Sequence, residues 1–335
     1  MIPKFRFHGD YFGISGILGI FGIMKSVIRF IIILLFILTT RGVAQTPISK
    51  DETITIGGIK QFIRIKGKDS SKPLLLFLHG GPGGSVMKYA DKFTGRLQEH
   101  FVVVQWDQRE TGETQALNTS PGPLTTTMFV NDTHALIDSL LRRFHQPKLF
   151  LMAHSWGTYL GFQMAAQYPQ LLHAYIAISP MVYQVESERL ILQQMKDRAV
   201  KENNSKKLEE LNAIKIPFDN GAQLYTHRKL LYDYTGNRFG VTEAYVTQWA
   251  ATWLKVYNDA SQVNWMQTLP EVSCPIYFCI GRKDFQTHFT LVEQYYKLVS
   301  APKKNLFWFE HSAHSVPSSE PERLQEVIIQ EVMPR

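Results

Sequence analysis

The strongest constraint on the fold of this chain is the alternation of continuous apolar runs with amphipathic stretches. The runs are Pro73–His79 (PLLLFLH), Phe101–Trp106 (FVVVQW), Lys148–Ala153, His173–Ser179, Pro275–Gly281 and Asn305–Phe309. Between or after them, Leu124–Phe144, 156–168, 288–299 and 321–332 carry apolar residues at helical spacing, with Asn131 and Asp132 breaking the first pattern early. A strand that alternates polar and apolar residues has one wet face, whereas a strand apolar throughout is covered on both. The rhythm therefore predicts an α/β protein with a mostly parallel sheet and helices on both faces. Thr53–Ile56 and Phe62–Lys66 do alternate, around Gly57-Gly58, which predicts an antiparallel hairpin at the start of a sheet of about eight strands. Residues 181–265 are helical, charged and aromatic without strand-like runs. They read as a helical lid inserted into a core made of 45–180 and 266–335.

A length of 335 residues, 44% apolar and 19% charged, suits one large domain with an insertion or two small ones. The net charge of +7 does not point to nucleic acid. Lys4, Arg6, Lys25, Arg29 and Arg41 stand against Asp10 in residues 1–44, and what remains is spread thinly. Within that segment Lys25 and Arg29 form a basic region, Phe30–Leu38 a short apolar one, and Gly42-Val43-Ala44 a small-residue cleavage site. These are the three parts of a signal peptide over 24–44, and the apolar stretch is short for a membrane span. Residues 1–23 add nothing such a signal needs, so translation is expected to start at Met24. The expectation is an exported protein, periplasmic or extracellular. The alternative is an uncleaved anchor joining Phe12–Ile23 to Phe30–Leu38, with Lys25 and Arg29 as interruptions that cost a few kcal/mol. Cys274 and Cys279 fall on one expected strand, ~16 Å apart, too far for a disulfide.

Three segments carry chemistry. Ala153-His154-Ser155-Trp156-Gly157 stands between an expected strand and an expected helix, the setting in which a sharp turn lifts a serine hydroxyl above a sheet. A serine before a helix is more often only a cap. His79-Gly80-Gly81-Pro82-Gly83-Gly84 ends an apolar strand, and a loop so rich in glycine lets backbone N–H groups approach a ligand, as an oxyanion requires. Its spacing fits neither a dinucleotide nor a P-loop fingerprint. Asp284, in Gly281-Arg282-Lys283-Asp284, follows a later strand and can orient an imidazole, although alone it reads as a turn residue. His311 and His314 follow the last strand, and either can serve as base. The order Ser, Asp, His is the one this kind of sheet uses.

The set HGGPGG, WDQRxTG, HSWG, GRKD and AHS resembles the proline iminopeptidase branch of the α/β-hydrolase superfamily, over roughly residues 70–180 and 270–335. The resemblance implies a serine hydrolase with Ser155 as nucleophile, Asp284 as acid and His314 as base. His314 is favoured over His311 because a small residue precedes it and a serine follows. Gly81 and Trp156 would then donate the oxyanion N–H groups. Three departures stand out. Ala153-His154 replace two glycines, a pairing commoner among esterases. Glu110 replaces the glycine after Asp-Gln-Arg, as a turn residue or as a contact to a cationic group. Leu254 follows Trp249 and Trp253 where the family has a glutamate for the substrate amine, which leaves Glu186, Glu188 and Asp233 as candidates, with Trp249 as a lining residue.

The resemblance thus implies an aminopeptidase acting on small peptides or amides. The alternatives are a carboxylesterase on small esters or a non-catalytic ligand-binding relative, against which the complete Ser-His-Asp set argues. No cofactor is expected. His134, His145 and His227 lack partners at metal-ligand spacing, so no metal is expected either. The expected partner is a small-molecule or peptide substrate. A membrane would be met only through the N-terminal segment, and no oligomeric state is implied.

Overall fold

The computed structural model describes residues 46–333, together with Met1, Pro3, Lys4 and Arg6. The export segment expected over 1–44 lies, apart from those four residues, outside the described ones. Eight strands form a single sheet: β1 (Ile48–Ile56), β2 (Ile59–Gly67), β3 (Leu74–Leu78), β4 (Val102–Asp107), β5 (Leu149–His154), β6 (Leu172–Ile178), β7 (Ile276–Gly281) and β8 (Lys304–Phe309). Their spatial order is β1-β2-β4-β3-β5-β6-β7-β8. β1 and β2 pair antiparallel, β2 meets β4 antiparallel, and all later pairings are parallel. The eight-stranded, mostly parallel sheet expected from the sequence is therefore present.

The main helices are α1 (Thr126–Phe144), α2 (Trp156–Gln167), α3 (Gln184–Lys201), α4 (Ser205–Asn212), α5 (Gly221–Tyr234), α6 (Glu243–Ser261), α7 (Phe289–Leu298) and α8 (Pro321–Val327). Both faces of the sheet are covered, and the period of two along each strand sorts its side chains. Leu76, Leu78, Val104, Leu151 and Ala153 pack with Phe129, Leu136, Leu160 and Phe162 of α1 and α2. Leu75, Phe77, Val103, Phe150 and Met152 pack on the other face with Phe93, Leu97, Leu324 and Ile328. Each such aliphatic or aromatic side chain contributes roughly 1.5–3 kcal/mol by burial. A one-residue slip of β3 would exchange its two sets of neighbours, so register is strongly specified.

Two local expectations change. The hairpin is longer than its alternating residues suggested, because β1 pairs with β2 from Ile48 to Ile56, through polar residues that face solvent at the sheet edge. Asn131 and Asp132 do not break α1. Asp132 is buried on the inner face of the helix, paired with Arg109 and accepting from Gln61 Nε2 at 2.7 Å. Arg109 also donates to the carbonyl of Gly57, and Trp106 Nε1 to Gln61 Oε1 at 2.9 Å. This buried network ties the hairpin to β4 and α1. A buried carboxylate needs such partners, and no helical periodicity could reveal partners this distant in sequence.

α3 to α6, followed by the short helix Trp265–Thr268, all lie between β6 and β7. Cys274 and Cys279 are buried free thiols, as the strand geometry required, and burial pushes the Cys279 thiol up to about 12. No helix among the described residues is long and apolar enough to cross a membrane.

Candidate active site

Ser155 occupies the turn from β5 into α2 with φ 52° and ψ −121°, a left-handed conformation that a β-carbon makes costly. Three anchors hold it there. Its N–H donates to Ile178 O at 3.0 Å, and its carbonyl accepts from Thr158 N at 2.8 Å and from Thr158 Oγ1. The turn is tight because α2 crosses directly beneath β3. A Cβ at Gly157 would lie 2.3 Å from the carbonyl oxygen of Leu78, so only glycine fits. Trp156 is the first residue of α2, and an amide at that position has no intrahelical acceptor.

His314 Nε2 lies 2.8 Å from Ser155 Oγ, and His314 Nδ1 lies 3.1 and 3.2 Å from the Asp284 carboxylate oxygens. The carboxylate assigns the proton to Nδ1 and leaves Nε2 free to accept from the serine. His311 is exposed, and its amide donates to Glu320, so of the two histidines only His314 meets Ser155. Asp284 is 1% exposed. It accepts from Gln286 N and Thr287 N at 3.0 Å and from Thr287 Oγ1 at 2.8 Å. Burial alone would raise its carboxyl, but the His314 imidazole and the Thr287 donors outweigh burial and hold it well below the usual carboxylate range. The loops after β7 and β8 touch at Gly281, where a Cβ would sit 2.1 Å from the carbonyl oxygen of Ala313.

Several positioning groups escaped the sequence reading. His154 Nε2 and Ser179 Oγ each lie 2.9 Å from the carbonyl oxygen of His314. Burial and the neighbouring His314 hold the His154 imidazole down at about 4. It is therefore neutral near pH 7, with its proton on Nε2, donating to that carbonyl. His79 is likewise buried and lowered by desolvation. It donates from Nδ1 to Gly80 O at 2.8 Å and accepts from Gln108 N at 3.2 Å. Gln108 in turn accepts from Trp156 Nε1 at 3.0 Å and donates to His79 O at 3.2 Å. The Asp-Gln-Arg segment thus clamps the glycine loop to Trp156, the residue after Ser155.

Ser155 and His314 open onto a cavity of about 280 Å³, also lined by Gly81, Tyr232, Trp249 and Tyr257. This lies at the small end of ligand sites. Trp249 Nε1 donates to Pro82 O at 2.8 Å, so α6 braces the glycine loop. The other carboxylates proposed for substrate binding do not line the cavity. Glu110 accepts from Ser120 N at 2.5 Å and secures a loop. Glu186 is half-buried beside Arg189, and Asp233 pairs with Lys207 on the surface. Glu188 is buried in the insertion and paired with Arg228, whose own side chain does reach the cavity. Nothing in the local sequence marks Arg228, because its carboxylate partner is forty residues away. No group of three metal-ligating side chains exists among the described residues.

A sequence profile of the serine aminopeptidase S33 family matches residues 69–322. The chain belongs to that family. This S33 member is 30% identical over 294 residues to the probable aminopeptidase YbaC of Bacillus subtilis (strain 168), covering 80% of this chain and 91% of that protein. It is 23% identical over 283 residues to a proline iminopeptidase of Heyndrickxia coagulans, covering 81% and 94%. Among solved structures it resembles a proline iminopeptidase of Mycobacterium smegmatis, with a TM-score of 0.60 and 16% identity over 84% of this chain and 97% of the other. The fold of this S33 member is the α/β-hydrolase fold, and the protein is a hydrolase.

Proposed function

We propose that this protein hydrolyses small amides, peptides or esters by acyl transfer through Ser155. The run of contacts from Ser155 Oγ to His314 at 2.8 Å and on to Asp284 at 3.1 Å carries this reading. His314 takes the hydroxyl proton as the oxygen attacks the substrate carbonyl, and Asp284 steadies the imidazolium that forms. The oxyanion rests on the amides of Gly81 and Trp156, held in place by the His79–Gln108–Trp156 clamp. His314 returns the proton to the leaving group, and water then releases the acyl group. Family membership and the relatives favour an aminopeptidase of proline iminopeptidase type. One observation favours an ester or an acyl group without an amine: among the described residues, the cavity lining contains no carboxylate to pair with a substrate ammonium. In this reading α3 to α6 act as the lid that shapes the substrate pocket.

Fluorophosphonate labelling tests the chemistry. Wild-type protein is expected to label and Ser155→Ala not to; equal labelling of the two would sink the proposal. Turnover of prolyl and other aminoacyl arylamides against p-nitrophenyl esters separates the two substrate readings, since turnover of esters alone rejects the aminopeptidase. We further infer export from the three-part pattern over 24–44; N-terminal sequencing of the mature protein should begin at Gln45, and an intact Met1 would refute cleavage.

A further inference from the structure

Among the described residues, Arg228 is the one permanently charged side chain lining the cavity, and no aspartate or glutamate lines it. The way Arg228 is held limits what it can bind. Its two terminal nitrogens donate to Glu188 Oε2 at 2.6 Å and Oε1 at 2.5 Å, to His227 Nδ1 at 2.9 Å and to the Tyr257 hydroxyl at 3.0 Å. Tyr257 in turn donates to Glu188 Oε1 at 2.6 Å, and Gln184 Nε2 donates to the same oxygen at 2.7 Å. Burial works to raise the Glu188 carboxyl, but the guanidinium overrides it and holds the group at about 2, so Glu188 is ionised. His227, lowered to about 4 by burial, is neutral and can accept from Arg228. Four of the five guanidinium N–H groups are therefore committed. The fifth, on Nε, meets no acceptor among the described residues.

We propose that Arg228 selects the acyl group, and that it selects a hydrogen-bond acceptor such as a carbonyl oxygen rather than a free ammonium. Glu188 balances the charge from behind, but it is Arg228 and not Glu188 that borders the cavity. A substrate approaching Ser155 thus meets the donor side of the pair. An oxygen acceptor gains a charge-assisted hydrogen bond from a group already locked in place, with little ordering left to do. An ammonium there faces a like charge, with no carboxylate among the described lining residues to balance it. The fork from Glu188 fixes the plane of the guanidinium, which a lysine could not reproduce. The substrate class is then a small N-terminal residue or acyl group carrying a carbonyl where a free amine would otherwise stand.

This inference rests on acyl transfer at Ser155 and decides between its two substrate readings. The test uses three arylamides that share a five-membered ring: 5-oxoprolyl, with a ring carbonyl; cyclopentanecarbonyl, with no polar group; and prolyl, with a protonated amine at pH 7. For the wild-type protein, kcat/KM for 5-oxoprolyl should exceed that for cyclopentanecarbonyl at least tenfold, with prolyl lowest. In Arg228→Lys that first ratio should fall at least fivefold, whatever the absolute rates. The wild-type ranking alone keeps the idea testable should the variant fold poorly. Prolyl ranking first, 5-oxoprolyl no better than cyclopentanecarbonyl, or no turnover of any probe by protein that labels with fluorophosphonate, each overturns the role of Arg228. Failure to label at all overturns the acyl-transfer reading instead.

Discussion

Two buried arginine–carboxylate pairs, built from the same groups, have opposite surroundings. Arg109 and Asp132 are 2% and 1% exposed and join the β1–β2 hairpin to α1. Arg228 and Glu188 join α5 to α3 inside the helical insertion. Each pair leaves one guanidinium nitrogen without a partner among the described residues. In Arg109 it is Nη1, buried without a partner, whereas in Arg228 it is Nε, which no neighbour caps. Burying a charge is costly unless partners repay the lost water. In the core pair the return is a fixed connection between elements; in the insertion it is a fixed donor beside the cavity. Asp284 completes the contrast as a buried carboxylate whose partner is an imidazole that can pass its proton on.

The largest effect should come at Asp284. Asp284→Asn would leave His314 in the wrong tautomer and is expected to lower kcat by about 10⁴-fold while leaving the protein folded. A loss below tenfold would place the carboxylate outside the proton path. Next is Asp132→Ala, which strands the Arg109 guanidinium and should cost about 3–5 kcal/mol in urea unfolding, with fluorophosphonate labelling of the folded fraction intact. Replacing both partners, Arg109→Met with Asp132→Leu, should cost less than the single change; a larger cost would mean the pair does more than tie elements together. Glu188→Gln keeps the shape of the other pair but leaves its cation unbalanced. Anionic acyl substrates should then gain on neutral ones in kcat/KM by about tenfold or less, the range of a partly screened charge. No change in that ratio would move the pair out of contact with substrate. Smallest is Trp249→Phe, which removes one hydrogen bond to Pro82 and should cost about 1 kcal/mol of transition-state binding, read as a severalfold drop in kcat/KM.

Stability should also depend on pH, with a definite sign. His154 and His227 titrate near 4 in the folded protein against 6.5 in the unfolded chain, so the unfolded state binds more protons between those values. Stability is therefore full above pH 6.5 and falls as pH drops from 6.5 towards 4. The lowered carboxyls of Asp284 and Glu188 add a further loss at lower pH, below the ordinary carboxylate value. Urea midpoints across this range check the prediction, and a flat profile from 6.5 to 4 would mean that neither imidazole is buried neutral.

The contrast between the pairs also marks where sequence reasoning reached and where it stopped. The strands of the sheet announce themselves, because a strand covered on both faces has to be apolar throughout, as in Leu74–Leu78 and Ile276–Gly281. Ser155 is legible for a similar reason: a tight strand-to-helix turn needs small neighbours, and Gly157 sits where a β-carbon would strike the backbone of β3. Asp132 shows the opposite. Along the chain it looks like a helix breaker, and only its pairing with Arg109 makes it a core residue.

The sequence by itself determined the α/β architecture and the serine between strand and helix. Each depends on contacts within a few residues, or on a periodicity that survives without knowing the partner. The sequence resemblance favoured His314 over His311, and the tertiary structure set it against Ser155; the tertiary structure alone decided that His154 and Ser179 hold the His314 carbonyl. It also decided that the charge reaching the cavity from the insertion is Arg228 and not a glutamate. Those outcomes turn on groups forty to one hundred and sixty residues apart meeting within hydrogen-bond distance. Chain packing creates such meetings, and no local pattern encodes them.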